Sequence, residues 1–508
     1  MARSMSERKS VWHEVEWPQE RPSLGEDIGC DVVVVGGGIT GLTTALLLQR
    51  QGMDVALVES HRLGSGTTGH TTGKVTSQHG LIYADMIERH GSDVARDYAQ
   101  ANQLAVETVG ALVEETAADC EFTLAPARVY ARNEQEVESL SREHRAAVEL
   151  GLPASMVDGQ ELPIPGAAAL EFSDQVQLHP VRYCLALAER FERMGGRVYE
   201  GTMATGTKEA GERVTIECGQ VSVTAHHAVV ATLLPFGQLG GLFARTRPSR
   251  AYGVAAKLAD EAPAGMYISA SAPTRSFRPW PGGGPNGLII VGEGHETGSE
   301  AATPRRWGDL EEWSREHFEV ESFEYRWSAQ DFIPSDGIPY IGRVALSDMT
   351  LTATGFMKWG LSNGTAAALM LTDVITGIEN PLIDSFDPTR IGDARSIGKL
   401  IRDNLGVGGK WVADRVVERR APDLDALERG SARLMEVGGE GVAAYRDPSG
   451  KVHAVSSTCT HLGCKVHWND AENTWDCPCH GSRFGLDGTV IEGPAHESLA
   501  RLELPSEN

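Results

Sequence analysis

Apolar and polar positions in the first sixty residues predict a strand, a helix and a second strand. Residues 31–35 are a continuous apolar run, typical of a strand that is buried on both faces. Three glycines follow at once, and residues 42–50 then repeat apolar positions at helical spacing. A second apolar run at 55–58 completes a β-α-β unit, which implies a parallel sheet.

The middle of the chain predicts a second, more mixed region. Residues 75–150 are predicted to be largely helical, with charged faces turned to solvent. Residues 213–218 and 220–224 alternate between apolar and polar positions and predict a hairpin. Further runs predict a substrate-binding sheet inserted into the first domain, at residues 251–259, 266–270 and 287–292.

Towards the C terminus the predicted elements become shorter. Residues 395–404 predict a basic amphipathic helix, and the glycine-rich residues 405–410 predict a linker. Runs at 442–445 and 452–455 predict short strands of a final domain. We therefore divide the chain into an arm at 1–28, a main domain at 29–393, a helix and linker at 394–415, and a last domain at 416–508.

Composition narrows the class of protein that fits these elements. The chain of 508 residues is too long for one hydrophobic core, and its hydrophobic content of 41% is that of a globular protein. A net charge of −24 argues against nucleic acid or acidic membrane surfaces as partners, and no apolar run is long enough for a membrane span. Residues 1–19 lack the apolar segment of a signal peptide. We expect a cytoplasmic protein whose N-terminal residues form a surface arm pinned by Trp12 and Trp17.

The glycines after the first strand carry a specific chemical prediction. Gly36 permits a tight turn, Gly38 lets the backbone approach a pyrophosphate, and Gly41 lets helix and strand pack closely. The helix N-terminus attracts phosphate, and Glu59, at the end of the second strand, is placed to bind ribose hydroxyls. The sequence therefore predicts one dinucleotide site. Other matches to the glycine spacing neither follow a buried strand nor open a helix, at residues 64–69 and 282–287.

A second chemical signal lies in two short loops near the C terminus. The first loop holds Cys459 and His461, and the second holds Cys477 and His480. One Cys and one His from each loop can hold a [2Fe–2S] cluster, with thiolates on one iron and imidazoles on the other. Short Cys and His spacing also fits a structural zinc site, which would leave the additional cysteine of each loop unexplained. These additional residues are Cys464 and Cys479.

Together with Ser482, the two loops resemble the Rieske iron–sulfur domain of the type whose loops are joined by a disulfide. The resemblance implies that Ser482 donates a hydrogen bond to a cluster sulfide. Phe484 stands where high-potential members have tyrosine, so we expect a lower reduction potential than theirs. By the same resemblance the cluster ligands are Cys459, His461, Cys477 and His480, and the disulfide joins Cys464 to Cys479.

Further glycine-rich segments accompany the single dinucleotide motif, at 64–73, 336–342 and 352–364. Together they resemble the D-amino-acid oxidase and glycine oxidase superfamily of FAD enzymes over residues 29–385. The resemblance implies an α/β FAD-binding Rossmann-type domain with an inserted α+β substrate domain, followed by an all-β Rieske domain. The residues implied to bind FAD are Gly36, Gly38, Ile39, Thr40, Gly41, Glu59, Ser60, His70, Thr71, Thr232, Gly342, Gly355, Gly360 and Gly364.

His70 carries a separate prediction about how FAD is held. Its surroundings, residues 66–73, resemble the loop in dimethylglycine and sarcosine dehydrogenases where a histidine bonds covalently to the flavin. Such a bond raises the flavin potential, which suits delivery of single electrons to a metal cluster. The alternatives are a histidine that lines the flavin pocket without a bond, or one with a structural role.

The substrate residues are predicted by analogy with the same superfamily. Residues 275–280 and 290–295 predict facing strands whose ends point at the flavin. Arg278 is predicted to pair with a substrate carboxylate, Glu293 to hold a cationic amine, and His295 to tune its proton. Lys358 is predicted to border the flavin ring. The alternative for each residue is an ordinary surface ion pair.

These features predict an enzyme that oxidises the C–N bond of a small amine or amino acid by hydride transfer to FAD. Electrons would then pass through the Rieske cluster to an external acceptor, either a protein or a quinone-like molecule, with His461 and His480 facing outward. A Rieske oxygenase would need a mononuclear iron site with two His and a carboxylate, and no compact motif of that kind is evident. The other alternative is an electron-transfer flavoprotein or reductase with no amine substrate.

Overall fold

The computed structural model describes residues 9–298, 304–390, 392 and 427–503. The predicted helix at 395–404, the linker at 405–410 and the boundary at 416 lie outside these residues. Within the described ranges, no helix is both long and apolar enough to cross a bilayer. The helices are α1 (Ile39–Arg50), α2 (Tyr83–His90), α3 (Ser92–Thr116), α4 (Glu134–Glu149), α5 (Pro180–Arg193), α6 (Pro304–His317), α7 (Gly360–Thr376) and α8 (Ile383–Phe386).

A six-stranded sheet contains the predicted β-α-β unit. The unit runs from β2 (Val32–Val35) through α1 to β3 (Val55–Val58), and the two strands pair in parallel. Both strands are fully buried, because α1 packs on one face of the sheet and a four-stranded sheet packs on the other. The remaining strands are β8 (Arg197–Tyr199), β12 (His227–Val230), β18 (Tyr340–Arg343) and β19 (Thr350–Thr354), in the order β18-β19-β12-β2-β3-β8.

The four-stranded sheet confirms the predicted hairpin. β10 (Arg213–Cys218) and β11 (Val221–Ala225) pair antiparallel, and alternate residues of each point into the core shared with the six-stranded sheet. The outer strands are β1 (Ile28–Gly29) and β9 (Gly206–Ala210), which give the order β1-β11-β10-β9.

A nine-stranded sheet is inserted between the strands of the first sheet, as predicted. Near one edge lies the long strand β13 (Thr246–Leu258), which pairs antiparallel with β16 (Gly287–Glu296) and with the edge strand β17 (Val320–Pro334). β15 (Arg275–Pro279) pairs with β16 across the turn at 282–287, which confirms that hairpin. The other strands are β4 (Lys74–Val75), β5 (Thr123–Ala131), β6 (Ala154–Asp158), β7 (Ala168–Gln177) and β14 (Met266–Ser269).

Residues 75–150 are largely helical, as predicted, through α2, α3 and α4, but they also contain the strand β5, which the pattern did not predict. Its buried residues, among them Ala125, Ala127 and Val129, recur at every second position, which is the period of a strand. The charged helices α3 and α4 on either side dominate the pattern of the whole segment, so the short alternation between them was misread.

The N-terminal arm is mostly exposed or half-buried over residues 13–28, as predicted for a surface arm, and it is pinned by residues 10–12, which are buried in the core. Trp12 is fully buried, its indole Nε1 donates to Thr71 O at 2.6 Å, and its ring lies 5.0 Å from the guanidinium carbon of Arg278. Ser10 Oγ donates to Gly69 O at 2.5 Å. The arm thus holds the backbone on both sides of His70. Trp17 is only half-buried and packs beside Arg62.

The C-terminal region confirms the predicted all-β architecture. One antiparallel sheet contains β20 (Ser431–Val437), β21 (Glu440–Arg446) and β22 (Val452–Ser456). The loops that carry Cys459 and Cys477 pack beside a second sheet, and both thiols belong to the core of the domain. The second sheet contains β23 (His467–Asn469), β24 (Thr474–Asp476), β25 (Arg483–Phe484) and β26 (Val490–Glu492).

A buried network of charges joins the C-terminal domain to the nine-stranded sheet. The guanidinium of Arg250, on β13, lies 2.7 Å from the Glu472 carboxylate and 3.2 Å from that of Glu492. Arg483, from the C-terminal domain, contacts the same two carboxylates at 2.8 and 3.4 Å and Asp476 at 3.2 Å. Arg250 and Arg483 are both buried, so each depends on these carboxylates for neutralisation.

We predict that Trp12→Ala lowers the free energy of unfolding by about 3 kcal/mol, because a large buried ring leaves a cavity. Chemical denaturation followed by circular dichroism measures the change, and protease cleavage within residues 9–30 should become faster. Trp17→Ala is the matched control and should cost less than about 1 kcal/mol, since its ring is half exposed. Equal losses for the two variants would show that the burial of Trp12 does not stabilise the arm.

The charge network predicts a loss of stability in acid. Burial alone would raise the pKa of Glu472, but Arg250 and Arg483 outweigh it and lower the pKa from 4.5 to about 2. Because the folded pKa is depressed, this contribution is fully present above pH 4.5 and is lost as the pH falls through about 2. Calorimetry across this range should show the decline.

Glu472→Gln should flatten this dependence of stability on acid pH. It should also lower the free energy of unfolding by about 3 kcal/mol at neutral pH, because it leaves buried guanidinium groups without their full counter-charge. Glu497→Gln, at an exposed position of the same domain, is the control and should change stability by less than about 0.5 kcal/mol. An unchanged acid profile in Glu472→Gln would contradict the assignment.

Candidate functional site

The turn between β2 and α1 has the shape of a dinucleotide cradle. Gly36 has a φ of +110°, and a Cβ there would lie 2.5 Å from the Ala231 carbonyl oxygen. A Cβ at Gly41 would lie 1.9 Å from Gly36 O, so the close approach of helix and turn requires glycine. α1 begins at Ile39 without a side-chain cap on Gly38 and without an acidic residue in its first turn. This helix N-terminus therefore fits a pyrophosphate.

Glu59 lies beside the turn, as predicted. Its carboxylate accepts hydrogen bonds from Gly37 N at 2.7 Å and from His61 N at 2.8 Å, and the Ser60 hydroxyl lies 3.1 Å away. Thr232 follows Ala231, the residue that touches Gly36, and its hydroxyl donates to Leu234 O at 3.0 Å. The structure thus brings the ends of β2, β3 and β12 together at one edge of the sheet, where α/β folds bind nucleotides.

A second helix N-terminus meets the same edge. α7 begins at Gly360, and a Cβ at Gly364 would lie 2.5 Å from Thr40 Oγ1 on α1. Gly355, in the preceding turn, packs against Pro334. Gly342 lies on β18 with a φ of +134°, and a Cβ there would lie 3.2 Å from Pro388, so close packing requires glycine at this position.

The loop of residues 64–73, which we call the flavin loop, contains His70 and is held by contacts from several sides. His70 Nδ1 donates to Gly66 O at 2.8 Å, which leaves Nε2 as the nitrogen with a free lone pair. Burial lowers the pKa of His70, so the ring is neutral at pH 7. Trp327 Nε1 donates to His70 O at 3.0 Å, and the His13 ring lies 4.9 Å from the His70 ring. A neutral, fixed imidazole suits either covalent attachment or contact with a bound flavin.

The position of Arg278 does not support its predicted role in binding a substrate carboxylate. The guanidinium is fully buried and donates to Thr72 O at 2.5 Å, Pro279 O at 3.0 Å and Leu178 O at 3.1 Å. Burial lowers the pKa of Arg278 to about 9. Its donors therefore connect the backbone of the flavin loop, at Thr72, to that of Leu178 and Pro279, beneath Trp12.

Glu293 and His295 lie away from Arg278, so the structure does not assemble the predicted trio. Glu293 pairs with Arg275 at 2.5 Å and with Arg306 of α6 at 3.5 Å. The His295 ring stacks on Tyr252, and its Nδ1 donates to Glu296 O at 2.9 Å. Glu293 is therefore engaged in two ion pairs, which are largely buried and not the surface pair that was its alternative.

The Lys358 side chain is exposed, next to the N-terminus of α7. Its backbone N–H donates to Asp331, and a Cβ on Gly294 would lie 2.9 Å from its ammonium nitrogen. Desolvation of the ammonium by the surrounding protein lowers the pKa of Lys358, while Asp331 acts in the opposite direction. Burial also raises the pKa of Asp331 to about 6.

The sequence analysis missed Asp331 and Lys74, the lysine that follows the flavin loop. Lys74 Nζ donates to Tyr267 O at 2.9 Å and to Ser276 Oγ at 2.6 Å, and burial lowers its pKa to about 7. A lysine directly after a glycine loop was a signal that could have identified Lys74, whereas Asp331 lies in a strand with several other polar and charged residues and gives no such signal.

The two cluster loops, residues 459–464 and 477–482, meet in the C-terminal domain. Cys459 and Cys477 are free and buried, and a hydrogen bond between their thiols lowers the pKa of Cys459. The Ser482 hydroxyl also contacts Cys459. Cys464 and Cys479 form the predicted disulfide, with an S–S distance of 2.10 Å.

The histidines complete a donor set that fits a [2Fe–2S] cluster. The rings of His461 and His480 lie 5.0 Å apart. His461 Nε2 donates to Gly237 O at 2.8 Å, and its buried Nδ1 has no hydrogen-bond partner among the described residues. Two free thiols and two imidazoles, one of which has an unpaired nitrogen, match the donor set of a His-ligated cluster, and zinc would not account for the disulfide.

The orientation of the histidines corrects the prediction that they face outward. Both rings pack edge-on against Phe243 of the first domain, at 5.2 Å for His461 and 4.9 Å for His480. Phe243 and Gly237 belong to the loop that leaves β12 after Thr232. The cluster loops are therefore directed at the flavin-binding domain.

Comparison with known proteins agrees with this arrangement. A family model described as FAD dependent oxidoreductase matches residues 31–374, and one described as Rieske [2Fe-2S] domain matches residues 418–503. The Bacillus subtilis protein YhfW, whose name assigns it to Rieske 2Fe-2S iron-sulfur proteins, is 37% identical over 95% of each chain.

Other similarities cover the first domain. Gamma-glutamylputrescine oxidoreductase of Escherichia coli is 28% identical over 45% of this chain and 55% of its own length. Glycine oxidase from Geobacillus kaustophilus has a TM-score of 0.60 at 19% identity over 72% of this chain and 99% of that one, which shows a shared fold. From the cradle, the cluster loops and the two family matches, we conclude that this chain belongs to the DAO family of FAD-dependent oxidoreductases and carries a C-terminal Rieske [2Fe–2S] domain.

Proposed function

We propose that the protein oxidises the C–N bond of a small amine or amino acid at FAD and relays the electrons through its own Rieske cluster to an external acceptor. The observation that carries this proposal is the packing of both cluster histidines on Phe243, in the loop that begins at Thr232 beside the dinucleotide cradle. One segment of the first domain, the loop from Thr232 to Phe243, thus borders both proposed redox sites. A cluster with a purely structural role would not need its ligands directed at that segment.

The residues that would hold the cofactors follow from the geometry of the two sites. The turn at Gly36–Gly41 and the N-terminus of α7 would bind FAD, with Glu59 at the ribose. Cys459, Cys477, His461 and His480 would bind the cluster, and Ser482 would donate to it. When bound, FAD supplies a two-electron hydride acceptor and the cluster supplies a one-electron carrier.

The chain's own residues would orient the reactants and exclude water. Phe243 covers both imidazoles, which limits their contact with solvent. We propose that three ionisable groups face substrate or flavin in place of Arg278: the buried Asp331 and Lys74, and the exposed Lys358. The acceptor would be a protein or a quinone-like molecule. The names of the E. coli and Geobacillus relatives support an amine or amino acid as the substrate class.

One observation favours a second candidate function. Arg278, Glu293 and His295 are each engaged with other partners and do not form a substrate site. An electron-transfer flavoprotein or reductase would need no such site. In that case FAD would exchange electrons with a reduced carrier and no amine would be oxidised.

Anaerobic mixing with a panel of amines and amino acids separates the two functions. The proposed enzyme should lose flavin absorbance with at least one amine and then show the electron-paramagnetic signal of a reduced His-ligated [2Fe–2S] centre. Cys477→Ser should abolish the cluster signal and turnover with a one-electron acceptor, while amine reduction of the flavin survives. Cys218→Ser, in β10 of the first domain, should change neither. Flavin that no amine bleaches but a reduced carrier does would support the second candidate instead.

The predicted flavin link has a direct chemical test. If His70 is the covalent anchor, acid-precipitated protein should retain yellow colour, and His70→Ala should release all FAD into the supernatant. His13→Ala is the control, since its ring is the neighbour of His70 and should not carry the bond. Full release of FAD from the wild-type protein would exclude the link and leave noncovalent binding at the same cradle.

A further inference from the structure

Gln330, near the end of β17, connects three separate segments of the chain. Its side chain is fully buried, and its amide Nε2 donates to Gly481 O at 2.8 Å. Thr297 Oγ1 donates to its amide oxygen at 2.7 Å, and Thr67 Oγ1 lies 3.3 Å from its backbone carbonyl oxygen. One residue thus contacts the cluster domain, the end of the β16 segment and the flavin loop.

The contact with Gly481 reaches the cluster site itself. Gly481 follows the ligand His480 directly and has a φ of +77°. A Cβ at Gly481 would lie 2.9 Å from Gln330 Nε2 and 2.7 Å from a carbon of Pro248. Only glycine lets the second cluster loop approach the first domain this closely. Gln330 donates the hydrogen bond at the point of closest approach.

The end of β17 also contacts two segments of the flavin-binding domain. Thr67 belongs to the flavin loop, three residues before His70. Asp331, next along β17, accepts from Phe332 N at 2.7 Å and from the backbone N–H of Lys358, ahead of α7. The end of β17 therefore holds the flavin loop and the turn before α7 on one side, and the cluster loop on the other.

The geometry points to Gln330 as the positioning residue that sets the approach of the Rieske cluster to the flavin and thereby the rate of electron transfer between them. This inference rests on the proposed relay. The step it governs is the transfer of a single electron, which leaves the reduced flavin and reduces the oxidised cluster by one. An amide is required at this position because it must donate to a carbonyl and accept from a hydroxyl at once.

Four variants of the full-length, cofactor-loaded protein test the inference. Gln330→Glu keeps an acceptor for Thr297 but loses the donor to Gly481, and Gln330→Met loses both. Thr297→Val keeps the amide but removes the hydroxyl that orients it. Gln175→Met is the matched control, because Gln175 is also fully buried and bonded at both ends, to Ser77 N and Ser173 O, within the first domain.

Laser-flash reduction of the flavin with a deazaflavin donor starts the reaction without any amine, and absorbance then follows flavin and cluster separately. Both Gln330 variants should transfer electrons more slowly than the wild type, because the second cluster loop is no longer held against the first domain, and Thr297→Val should lie between them and the wild type. Gln175→Met should transfer at the wild-type rate. The cluster's electron-paramagnetic spectrum should be unchanged throughout, since no ligand is altered.

Hydrogen exchange gives a readout that does not depend on electron transfer. Peptides that cover 477–484 should exchange about tenfold faster in both Gln330 variants, and those that cover 459–464 should not. Wild-type transfer rates and exchange in Gln330→Glu and Thr297→Val would overturn the inference. If the wild-type flavin and cluster exchange no electrons after the flash, the proposed function fails instead.

Discussion

A buried guanidinium cannot remain without a counter-charge, and this constraint fixes how the two halves of the protein are arranged. Arg250 is fully buried in the nine-stranded sheet, and its carboxylate partners, Glu472 and Glu492, come from the Rieske domain. Undocking that domain would leave the cation unpaired in an apolar setting, which is far more costly than losing a surface ion pair. The cluster loops therefore face the flavin domain as a consequence of charge neutralisation some distance from the ligands.

Docking of this kind is what a relay with a fixed cluster domain requires, in contrast to one whose cluster domain moves. Each contact at the boundary uses a different kind of interaction: ion pairs at Arg250, an amide at Gln330, a backbone carbonyl at Gly237 and an aromatic edge at Phe243. Together these interactions specify both the distance between the two domains and their relative orientation. The imidazole nitrogen of His461 that would otherwise be offered to an acceptor already donates to the protein itself.

The parts of the site that the sequence predicts well are those defined by short stretches of chain. The turn at Gly36, the pairing of Cys464 with Cys479 and the free thiols of the cluster loops depend on local spacing and on chemistry that few residues can perform. Arg278 was misread because its partners, such as the carbonyl of Leu178, are distant in sequence and carry no side-chain signal. Trp12 was predicted to pin the arm, but the partners that bury it could not be named, since they lie on strands formed much later in the chain.

Trp12 also determines the order in which the molecule can be completed. It shares one apolar cluster with Trp280, which directly follows β15, and with Trp327, which lies on β17. During synthesis the segment at residues 9–13 leaves the ribosome long before Trp327 does. It must therefore wait, solvated and undocked, until most of the first domain has formed. The segment made early is thus among the last to fold, and it closes over the loop that carries His70 only when the rest of the flavin domain is in place.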